Sequence, residues 1–400
     1  MQFDLPASPA TPPPELDRSV AVIGAGAVGA TAARDLARWG ADVTLFERDA
    51  VGAGATGRAA GIVYDAFAED LDAAVADRAI ERFRTASGSG EFALTEQPYV
   101  WFAREGDDRR AEAIREQASR MRANGRSVEV LEPAAVADRW PALRTDDLAV
   151  VAVARTAGTA DPEVYAAAMV ESARADGAAV EVGSPASIET DPIGVRVGHS
   201  DRNRAREGGV RTFDAVLVAA GARTPTLLAD AGVEIACAPY RVQALTVGVA
   251  EGNGDLPTFY DATGEYYARP NGTGLLAGDG VEPGAADPED WTRDADAWFR
   301  EELIGVLSER VDGVDTAATD SWAGLCTATP DRNPLVGSVA PGLVVATGFH
   351  GHGFMRAPAI GELAARELCG GDGVAAFDPT RFDGGEQIEI ADGIVVDERG

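Results

Sequence analysis

Residues 20–30 read VAVIGAGAVGA, and this stretch decides the fold of a chain of 400 residues. A short β-branched run precedes Gly24, Gly26 and Gly29, which have the spacing G-x-G-x-x-G, and a segment of helical spacing follows. Residues 42–48, DVTLFER, return to a strand. Such glycines allow a tight turn, close approach of the backbone to a pyrophosphate, and close helix packing. The stretch therefore predicts a βαβ unit that binds a dinucleotide, with an ordinary glycine-rich turn as the alternative.

The class of dinucleotide depends on Glu47, which closes the second strand of this unit. A carboxylate at that position accepts hydrogen bonds from ribose hydroxyls, and its charge repels a 2′-phosphate. NADP is therefore disfavoured. FAD and NAD both remain compatible with these residues.

The rest of the chain predicts an α/β fold. Apolar runs at 214–220 and 342–348 are typical of parallel strands that are covered on both faces. Residues 160–182 predict a capped helix that leads into a strand, and a charged helix is expected from about Asp107 to Asn124. The predicted segments are a disordered leader at 1–17, a Rossmann-type domain at 18–88, 151–236 and 321–370, an α+β domain with a mixed sheet at 89–150 and 237–320, and a loosely packed acidic tail at 371–400.

The charge of the chain excludes several classes of partner. There are 65 acidic and 35 basic residues, a net charge of −30, and every basic residue is an arginine. Such a surface opposes nucleic acid and anionic membranes, and no apolar run is long enough to span a bilayer. Adaptation to high salt explains this charge better than genome composition alone, and the composition resembles that of proteins from extremely halophilic archaea. Three widely spaced cysteines indicate no disulfide framework, which fits a cytoplasmic protein.

Four stretches resemble, in order along the chain, the D-amino-acid oxidase and sarcosine oxidase family of FAD-dependent amine oxidoreductases. They are ERDAVGAGATGRAAGIV at 47–63, VAAGARTPTLL at 218–228, WAGLCTATPDRNPLVG at 322–337 and GLVVATGFHGHGFMRAPAIGELAA at 342–365. The resemblance covers about residues 19–370. It implies that FAD is the cofactor, that the Rossmann-type domain binds it, and that the sheet of the second domain covers the flavin.

The family also implies the reaction. A small amino acid or secondary amine of the sarcosine, glycine, proline or D-amino-acid type would lose hydride to flavin N5, giving an imine that water hydrolyses. A quinone or an electron-acceptor protein is a possible partner. The cofactor-binding residues predicted by motif and resemblance are Gly24, Gly26, Val28, Gly29, Glu47, Arg48, Thr56, Gly57, Arg58, Gly61, Ala220, Gly221, His352, Gly353, Phe354 and Met355.

The histidines of GFHGHGF, His350 and His352, raise the question of a metal site. No cluster of Asp, Glu or Cys accompanies them in the sequence, so no metal is predicted. No activated Ser or Cys stands beside them for nucleophilic catalysis. The better interpretation is that the glycines let the backbone pass close to the flavin. The positive end of a helix that begins near Arg356 would then stabilise the charge of the reduced ring.

The stretch GEYYARPNGTGLLAGDG at 264–280 resembles the substrate-domain hairpin of the family. The resemblance implies that Tyr267 reaches the substrate carboxylate, and a tyrosine packed in the sheet is the alternative. Tyr266 is expected on the opposite face of the strand.

Two positions depart from the family pattern. Glycine oxidase and D-amino-acid oxidase carry a carboxylate-binding arginine where this chain has Cys326, so Arg58, Arg269 and Arg356 become candidates for that role. The cysteine that binds flavin covalently in sarcosine oxidases lies about two residues earlier, so Cys326 is expected to be a small buried thiol. Leu276 falls near the position of the lysine that activates oxygen in those oxidases, so a dehydrogenase and an oxidase both stay open. The predicted catalytic residues are Tyr267, Arg58, Arg356 and Cys326.

Two other functions stay open. The protein could be an FAD-dependent 2-hydroxy-acid dehydrogenase, which prefers a hydroxyl group in place of the amine. It could also be a flavin-bearing, non-catalytic subunit that serves in assembly or electron transfer. The sequence does not distinguish the individual substrate.

Overall fold

The computed structural model describes residue 5 and residues 18–198, 209–250, 255–279 and 281–390. Apart from Leu5, the predicted leader lies outside the described residues, as do the last ten residues of the predicted tail. The described strands are β1 (Ser19–Ile23), β2 (Asp42–Glu47), β3 (Ile62–Tyr64), β4 (Leu94–Glu96), β5 (Tyr99–Arg104), β6 (Val128–Leu131), β7 (Leu148–Ala154), β8 (Ala157–Ala160), β9 (Ala179–Val182), β10 (Ala186–Thr190), β11 (Ile193–Val197), β12 (Val210–Thr212), β13 (Ala215–Val218), β14 (Ala238–Val249), β15 (Thr258–Asp261), β16 (Tyr266–Asn271), β17 (Gly274–Asp279), β18 (Val314–Ala328), β19 (Leu335–Ala340) and β20 (Leu343–Thr347).

The described α-helices are α1 (Ala27–Arg38), α2 (Asp70–Ala86), α3 (Asp108–Ala123), α4 (Pro133–Arg139), α5 (Pro162–Ala175), α6 (Thr224–Asp230), α7 (Ala297–Arg310) and α8 (Gly353–Leu368). The charged helix α3 has the expected bounds, with the Asp107 side chain accepting the N–H of Arg110 as an N-cap. The helix α8 begins at Gly353, so the expected start near Arg356 is three residues too late.

The first large sheet has the strand order β19-β20-β13-β1-β2-β9, in which only β19 runs antiparallel to its neighbour among the described strands. Its central strand β1 is buried on both faces. Val20 and Val22 face α1 and α8, whereas Ala21 and Ile23 face the antiparallel strands β10 and β11. This burial explains the continuous apolar runs of the sequence.

Helices α1, α5 and α8 cover one face of this sheet. Their contacts depend on small residues, because a Cβ atom on Gly361 of α8 would lie 2.6 Å from the Cβ of Thr31 in α1. The amino ends of α1 and α8 both lie at the carboxyl edge of parallel strands, since α1 follows β1 and α8 follows β20. In folds of this type that edge is where ligands bind.

The second large sheet has the strand order β18-β14-β17-β16-β15-β5-β7-β6 and is antiparallel except for the β5–β15 pair. One face carries its own core with α7, which includes Phe102, Phe259 and Tyr266. The other face carries Trp101 and Tyr260, which belong to the same hydrophobic core as the helices on the first large sheet. The second domain therefore packs one face of its sheet against the first domain.

Two strands cross the domain boundaries expected from the sequence. Strand β7 continues past residue 150 and β18 begins before residue 321, and both belong to the eight-stranded sheet. The prediction of a loosely packed tail is wrong for residues 374–381, because Phe377 is fully buried and Arg381 forms an ion pair with Asp331. No helix in the described part of the chain is both long and apolar enough to cross a membrane.

Candidate active site

The glycines of the first turn have no room for a side chain. Gly24 has a φ of +106°, and a Cβ atom there would lie 2.5 Å from the carbonyl oxygen of Ala219, which directly follows β13. A Cβ atom on Gly29 would lie 2.0 Å from the carbonyl oxygen of Gly24. The close contact of α1 with β1 and β13 therefore depends on glycine at both positions.

Two side chains surround the amino end of α1. The Glu47 carboxylate accepts the Ala25 N–H at 2.8 Å and the Asp49 N–H at 2.9 Å. The Thr56 hydroxyl oxygen accepts the Ala27 N–H at 3.0 Å. Val28 lies in the first helical turn, where backbone N–H groups have no intrahelical acceptor. The predicted Gly26, Glu47 and Thr56 thus come together at a positive helix end.

The segment between β2 and β3 packs tightly against the start of α5. A Cβ atom on Gly57 would lie 2.2 Å from a carboxylate oxygen of Glu163, and one on Gly61 would lie 2.0 Å from the carbonyl oxygen of Ala160. The Ala160 N–H donates to the Gly61 carbonyl at 2.9 Å. Thr56 and Arg58 form a short 3-10 turn inside this segment. Its backbone is therefore fixed beside the first turn.

Arg58 is held by backbone carbonyl groups. Its Nη1 donates to the carbonyls of Ala53 and Gly54, and its own carbonyl accepts the Trp322 Nε1–H at 3.1 Å. Its guanidinium lies 5.9 Å from the ring centre of Trp291. Burial and the nearby charge of Arg293 lower the pKa of Arg58.

Arg48 and Arg223 both form ion pairs with Glu289, a residue of the loop that follows β17. Gly221 follows β13 with a φ of +56°, and Ala220 immediately precedes it. The predicted residues Arg48, Ala220 and Gly221 therefore line the same edge of the first sheet. The ion pairs also attach the loop of the second domain to that edge.

Threonine side chains hold the loop of residues 348–352. The Thr327 hydroxyl accepts the Gly348 N–H at 3.0 Å, and the Thr327 carbonyl accepts the His350 N–H at 2.9 Å. The Thr329 N–H donates to Nε2 of His350 at 2.8 Å. His350 is buried and has a φ of +46°, a conformation that few non-glycine residues adopt.

His352 is buried beside the same loop. Its Nε2 lies 3.2 Å from the Tyr64 hydroxyl, and its ring contacts Phe67 edge-on. Burial, with smaller contributions from Arg356 and His350, lowers the pKa of His352 to about 3. The imidazole is therefore neutral at pH 7. Among the described residues, no three His, Cys, Asp or Glu side chains are grouped as metal ligands.

The first turn of α8 offers its backbone to a ligand. The Phe354 ring packs inward against Phe83 and Tyr165, with ring centres 5.2 and 5.8 Å away, and Met355 is buried. These side chains point into the core, so this helix end presents the backbone N–H groups of Gly353, Phe354 and Met355, which a helix leaves without intrahelical acceptors.

The Arg356 side chain is held by contacts inside the protein. Its Nη2 lies 3.0 Å from a carboxylate oxygen of Asp72, and its guanidinium lies 5.3 Å from the ring centre of Phe67. The ion pair neutralises its charge inside the protein.

The second sheet presents aromatic residues toward the first domain. Trp101, Tyr260, Tyr267 and Gly278 lie in register on four neighbouring strands and share this face. The Tyr267 ring lies over Gly278, where a Cβ atom would be 2.1 Å from the tyrosine hydroxyl. Tyr266 lies in the core of the opposite face, so the prediction that the two tyrosines point in opposite directions is confirmed.

The inner ends of β16 and β18 lie on this face as well. Trp322, Gly324 and Cys326 alternate along β18, and a Cβ atom on Gly324 would lie 3.4 Å from the Cβ of Arg58. Cys326 is half-buried, so the expectation of a buried thiol is not met. Arg269 and Leu276 face each other across β16 and β17.

Sequence reasoning missed several of these residues. Thr327 and Thr329 could have been found from their alternation before Pro330, which directs both hydroxyl groups to one side of the chain. Asp72 and Trp291 carry no local signal, because only the packing of α2 and of the loop after β17 brings them to Arg356 and Arg58.

Comparison with known proteins places this geometry in a family. A sequence profile with the description "DAO: FAD dependent oxidoreductase" matches residues 19–367. The chain belongs to the DAO family of FAD-dependent oxidoreductases. FAD is therefore its cofactor, and the crowded glycines at α1, with Glu47 at its amino end, fit the dinucleotide.

Several known proteins are similar to this chain in sequence or in structure. The tRNA 5-methylaminomethyl-2-thiouridine biosynthesis bifunctional protein MnmC of Maricaulis maris is 28% identical over 377 residues, covering 92% of this chain and 56% of that protein. Glycine oxidase of Geobacillus kaustophilus is 25% identical over 363 residues, covering 86% of this chain and 91% of the oxidase. L-proline dehydrogenase from P. horikoshii has a TM-score of 0.80 at 24% identity, covering 94% of this chain and 100% of that structure. The structural similarity confirms the predicted α/β fold. The chain spans only 56% of the length of the MnmC protein.

Proposed function

We propose that the protein oxidises the carbon–nitrogen bond of a small amino acid or secondary amine, with FAD as the electron acceptor. The observation that carries this proposal is the aromatic face of the second sheet. Tyr99 on that face stacks on Tyr64 with ring centres 4.3 Å apart, and the Tyr64 hydroxyl reaches His352 beside α8. The sheet face and the amino end of α8 thus border one interface, where a substrate would meet the flavin.

The chain's own residues supply binding and electrostatic stabilisation. The amino end of α1 would hold the pyrophosphate, and Glu47 would bind ribose hydroxyl groups. The N–H groups of Gly353, Phe354 and Met355 would stabilise negative charge on the ring system. Bound FAD supplies the hydride-accepting chemistry, and Tyr267 would orient the substrate on the opposite side.

The relatives support an amine or amino-acid substrate. Glycine oxidase matches over most of both chains, and its name states a small amino acid as substrate. The name of the MnmC relative instead refers to tRNA, but a net charge of −30 without any lysine opposes binding of a polyanion. A free small molecule is therefore the better substrate.

The electron acceptor is proposed to be a quinone or a carrier protein. Leu276, near the position of the lysine that activates oxygen in sarcosine oxidases, lies on the same face of the second sheet as Tyr267 and provides no charge there. Reoxidation of the reduced protein by air should consequently be slow compared with reoxidation by a dye such as phenazine methosulfate. Equal rates with oxygen and dye would contradict this assignment.

A visible spectrum recorded without oxygen tests the function. Sarcosine, proline, glycine, D-alanine and the 2-hydroxy acids lactate and glycolate are added in turn to the protein with bound FAD. Bleaching by an amine supports the proposal, whereas bleaching by hydroxy acids alone indicates a 2-hydroxy-acid dehydrogenase. Flavin that stays oxidised with every compound supports a non-catalytic subunit.

The setting of the protein is also proposed from its composition. An excess of 30 acidic over basic residues, with arginine as the only basic type, supports a cytoplasmic protein adapted to high salt, as in halophilic archaea.

A further inference from the structure

The loop between β17 and α7 reaches from the second domain to the first. We name its residues 282–296 the strap; they follow β17 and end at the N-cap of α7. The base of the strap is attached to β14 of the second domain, and its tip contacts the first domain. These two attachments differ in burial, which indicates the one that opens more readily.

The base of the strap is fixed by Arg241, a buried residue of β14. Its guanidinium forms ion pairs with Glu282 at the start of the strap and with Asp296 at the end, the latter at 2.9 Å. The same guanidinium donates to the carbonyls of Thr292 and Asp294 at 2.9 and 2.6 Å. Because breaking one partner of a buried charge network is costly, both ends of the strap stay on β14.

The tip of the strap, residues 287–291, directs Glu289 toward the first domain. The Asp287 side chain accepts the Glu289 N–H at 2.8 Å and so shapes the turn. Oε1 of Glu289 lies 2.7 Å from Nε of Arg223 and 3.4 Å from Nη1 of Arg48. One carboxylate oxygen thus bridges two arginines of the first domain.

The two arginines lie on opposite sides of the dinucleotide turn. Arg48 directly follows β2, and Arg223 ends the short turn after β13. Strands β2 and β13 flank β1 in the sheet, and Gly24 directly follows β1. Glu289 therefore crosses the carboxyl edge of β1, which is the edge where folds of this type bind a dinucleotide.

The contacts of the tip are exposed, in contrast to those of the base. The Glu289 side chain is 54% exposed, whereas that of Arg241 is 7% exposed. Trp291 adds a contact with the Arg58 guanidinium at 5.9 Å, the outer limit of a cation–π interaction. Exposed ion pairs are weak and are screened by salt. The tip therefore separates from the first domain more readily than the base leaves β14.

We propose that the strap retains FAD. With Glu289 bound to Arg48 and Arg223, the tip closes the edge beside the dinucleotide turn, and its separation from the first domain lets the cofactor leave. Glu289 acts through the two arginines and is not a catalytic residue. The inference does not depend on the proposed amine oxidation, because FAD is the cofactor whatever the substrate.

The experiment measures the rate constant for release of FAD from wild type, Glu289→Gln, Arg223→Gln and the double variant. Each holoprotein is incubated in concentrated KCl with a large excess of 5-deaza-FAD, which prevents rebinding, and the FAD that stays bound is measured after desalting. For Glu289→Gln we expect the rate constant to rise about three-fold to ten-fold, the effect of losing two exposed ion pairs. The rise for Arg223→Gln should be smaller. The double variant should release FAD no faster than Glu289→Gln, since the shared contact is already lost.

Asp290→Asn is the matched control, because it removes the same charge from the neighbouring position of the tip. Asp290 is exposed and forms no ion pair within the described part of the chain. Its rate constant for release should stay within about two-fold of wild type. Hydrogen exchange of the holoproteins locates the change: in Glu289→Gln the peptide with residues 287–291 should exchange faster, and the peptide around Arg241 should exchange as in wild type.

Release from Glu289→Gln at the wild-type rate would overturn the inference, and so would an equal acceleration in Asp290→Asn. Faster exchange around Arg241 would also contradict it, because the strap would then open from its base. If Glu289→Gln loses FAD during purification, titration of the apoprotein with FAD replaces the rate measurement. The dissociation constant should then rise by the same factor relative to wild type and Asp290→Asn, and equal constants would overturn the role of the strap.

Discussion

The Nε2 atom of His350 accepts a hydrogen bond of 2.8 Å from the backbone N–H of Thr329. This single contact joins the chain just after β18 to the loop that precedes α8, and the Thr329 hydroxyl lies 3.0 Å from the same nitrogen. Because Nε2 accepts, the ring proton resides on Nδ1 and the imidazole is neutral. A buried histidine therefore fixes the loop that leads into the amino end of α8.

We expect His350→Ala to lower the free energy of unfolding by about 1–3 kcal/mol, because the buried Thr329 N–H loses its acceptor. His350→Asn is the control, since asparagine tolerates a positive φ but its side chain is too short to replace imidazole. Urea unfolding of the three proteins measures the change. An asparagine variant as stable as wild type would mean that backbone strain, and not the hydrogen bond, is what matters.

The depressed pKa of His352 makes stability depend on pH. The folded protein holds this pKa at about 3, against an ordinary value of 6.5, so between these values only the unfolded chain binds the proton. The contribution of His352 to the free energy of unfolding is therefore fully present above pH 6.5 and is lost as the pH drops toward 3. Between pH 7.5 and pH 5 we expect His352 to contribute a loss of about 2 kcal/mol.

The measurement of this loss compares wild type with His352→Gln, which cannot titrate. Unfolding is followed by urea denaturation at several pH values in that interval. The difference in stability between the two proteins should shrink as the pH falls. Parallel curves would show that His352 titrates normally in the folded protein.

Tyr267→Phe should raise KM for the substrate about ten-fold, because under the proposed function it removes the hydroxyl that would orient the substrate while the ring stays over Gly278. The matched control is Tyr266→Phe on the opposite face of β16, for which kcat and KM should stay within about two-fold of wild type. Steady-state kinetics with a dye acceptor measures both variants. Identical KM values for Tyr267→Phe and wild type would show that Tyr267 does not orient the substrate.

Gly29→Ala should abolish FAD binding, because its Cβ would collide with the Gly24 carbonyl oxygen at 2.0 Å and displace α1 from β1. Overpacking of this kind costs about 3 kcal/mol. Gly54→Ala is a control, since its Cβ meets no atom within 4 Å. The ratio of flavin to protein absorbance after purification should fall only in the first variant; equal FAD retention would contradict the fit of the turn to a dinucleotide.

High salt should stabilise the protein, since a net charge of −30 creates self-repulsion that is screened only at high ionic strength. We expect the thermal midpoint to rise markedly from 0.2 M to 3 M KCl. Differential scanning fluorimetry at both concentrations measures the shift. Equal midpoints would speak against adaptation to high salt.

The arginine candidates show where sequence reasoning reached its limit. The sequence indicated that Arg58, Arg269 and Arg356 could compensate for Cys326, but it could not rank them. Asp72 lies 284 positions before Arg356 and still forms its ion pair, and the acceptor of the Arg269 Nε is Ala60 on the other domain. Such partners are set by packing between elements that are distant in the chain, which no local pattern encodes.

By itself, the sequence determined the dinucleotide turn, the alternation of Tyr266 and Tyr267, and the family. These features are local, because glycine spacing, the two-residue period of a strand and short motifs act over a few neighbouring residues. Only the tertiary structure decided the start of α8, the packing of the tail and the charge partners of the arginines. It did so because side chains from separate strands and helices must fill one interface together, and each contact there depends on residues far away in the chain.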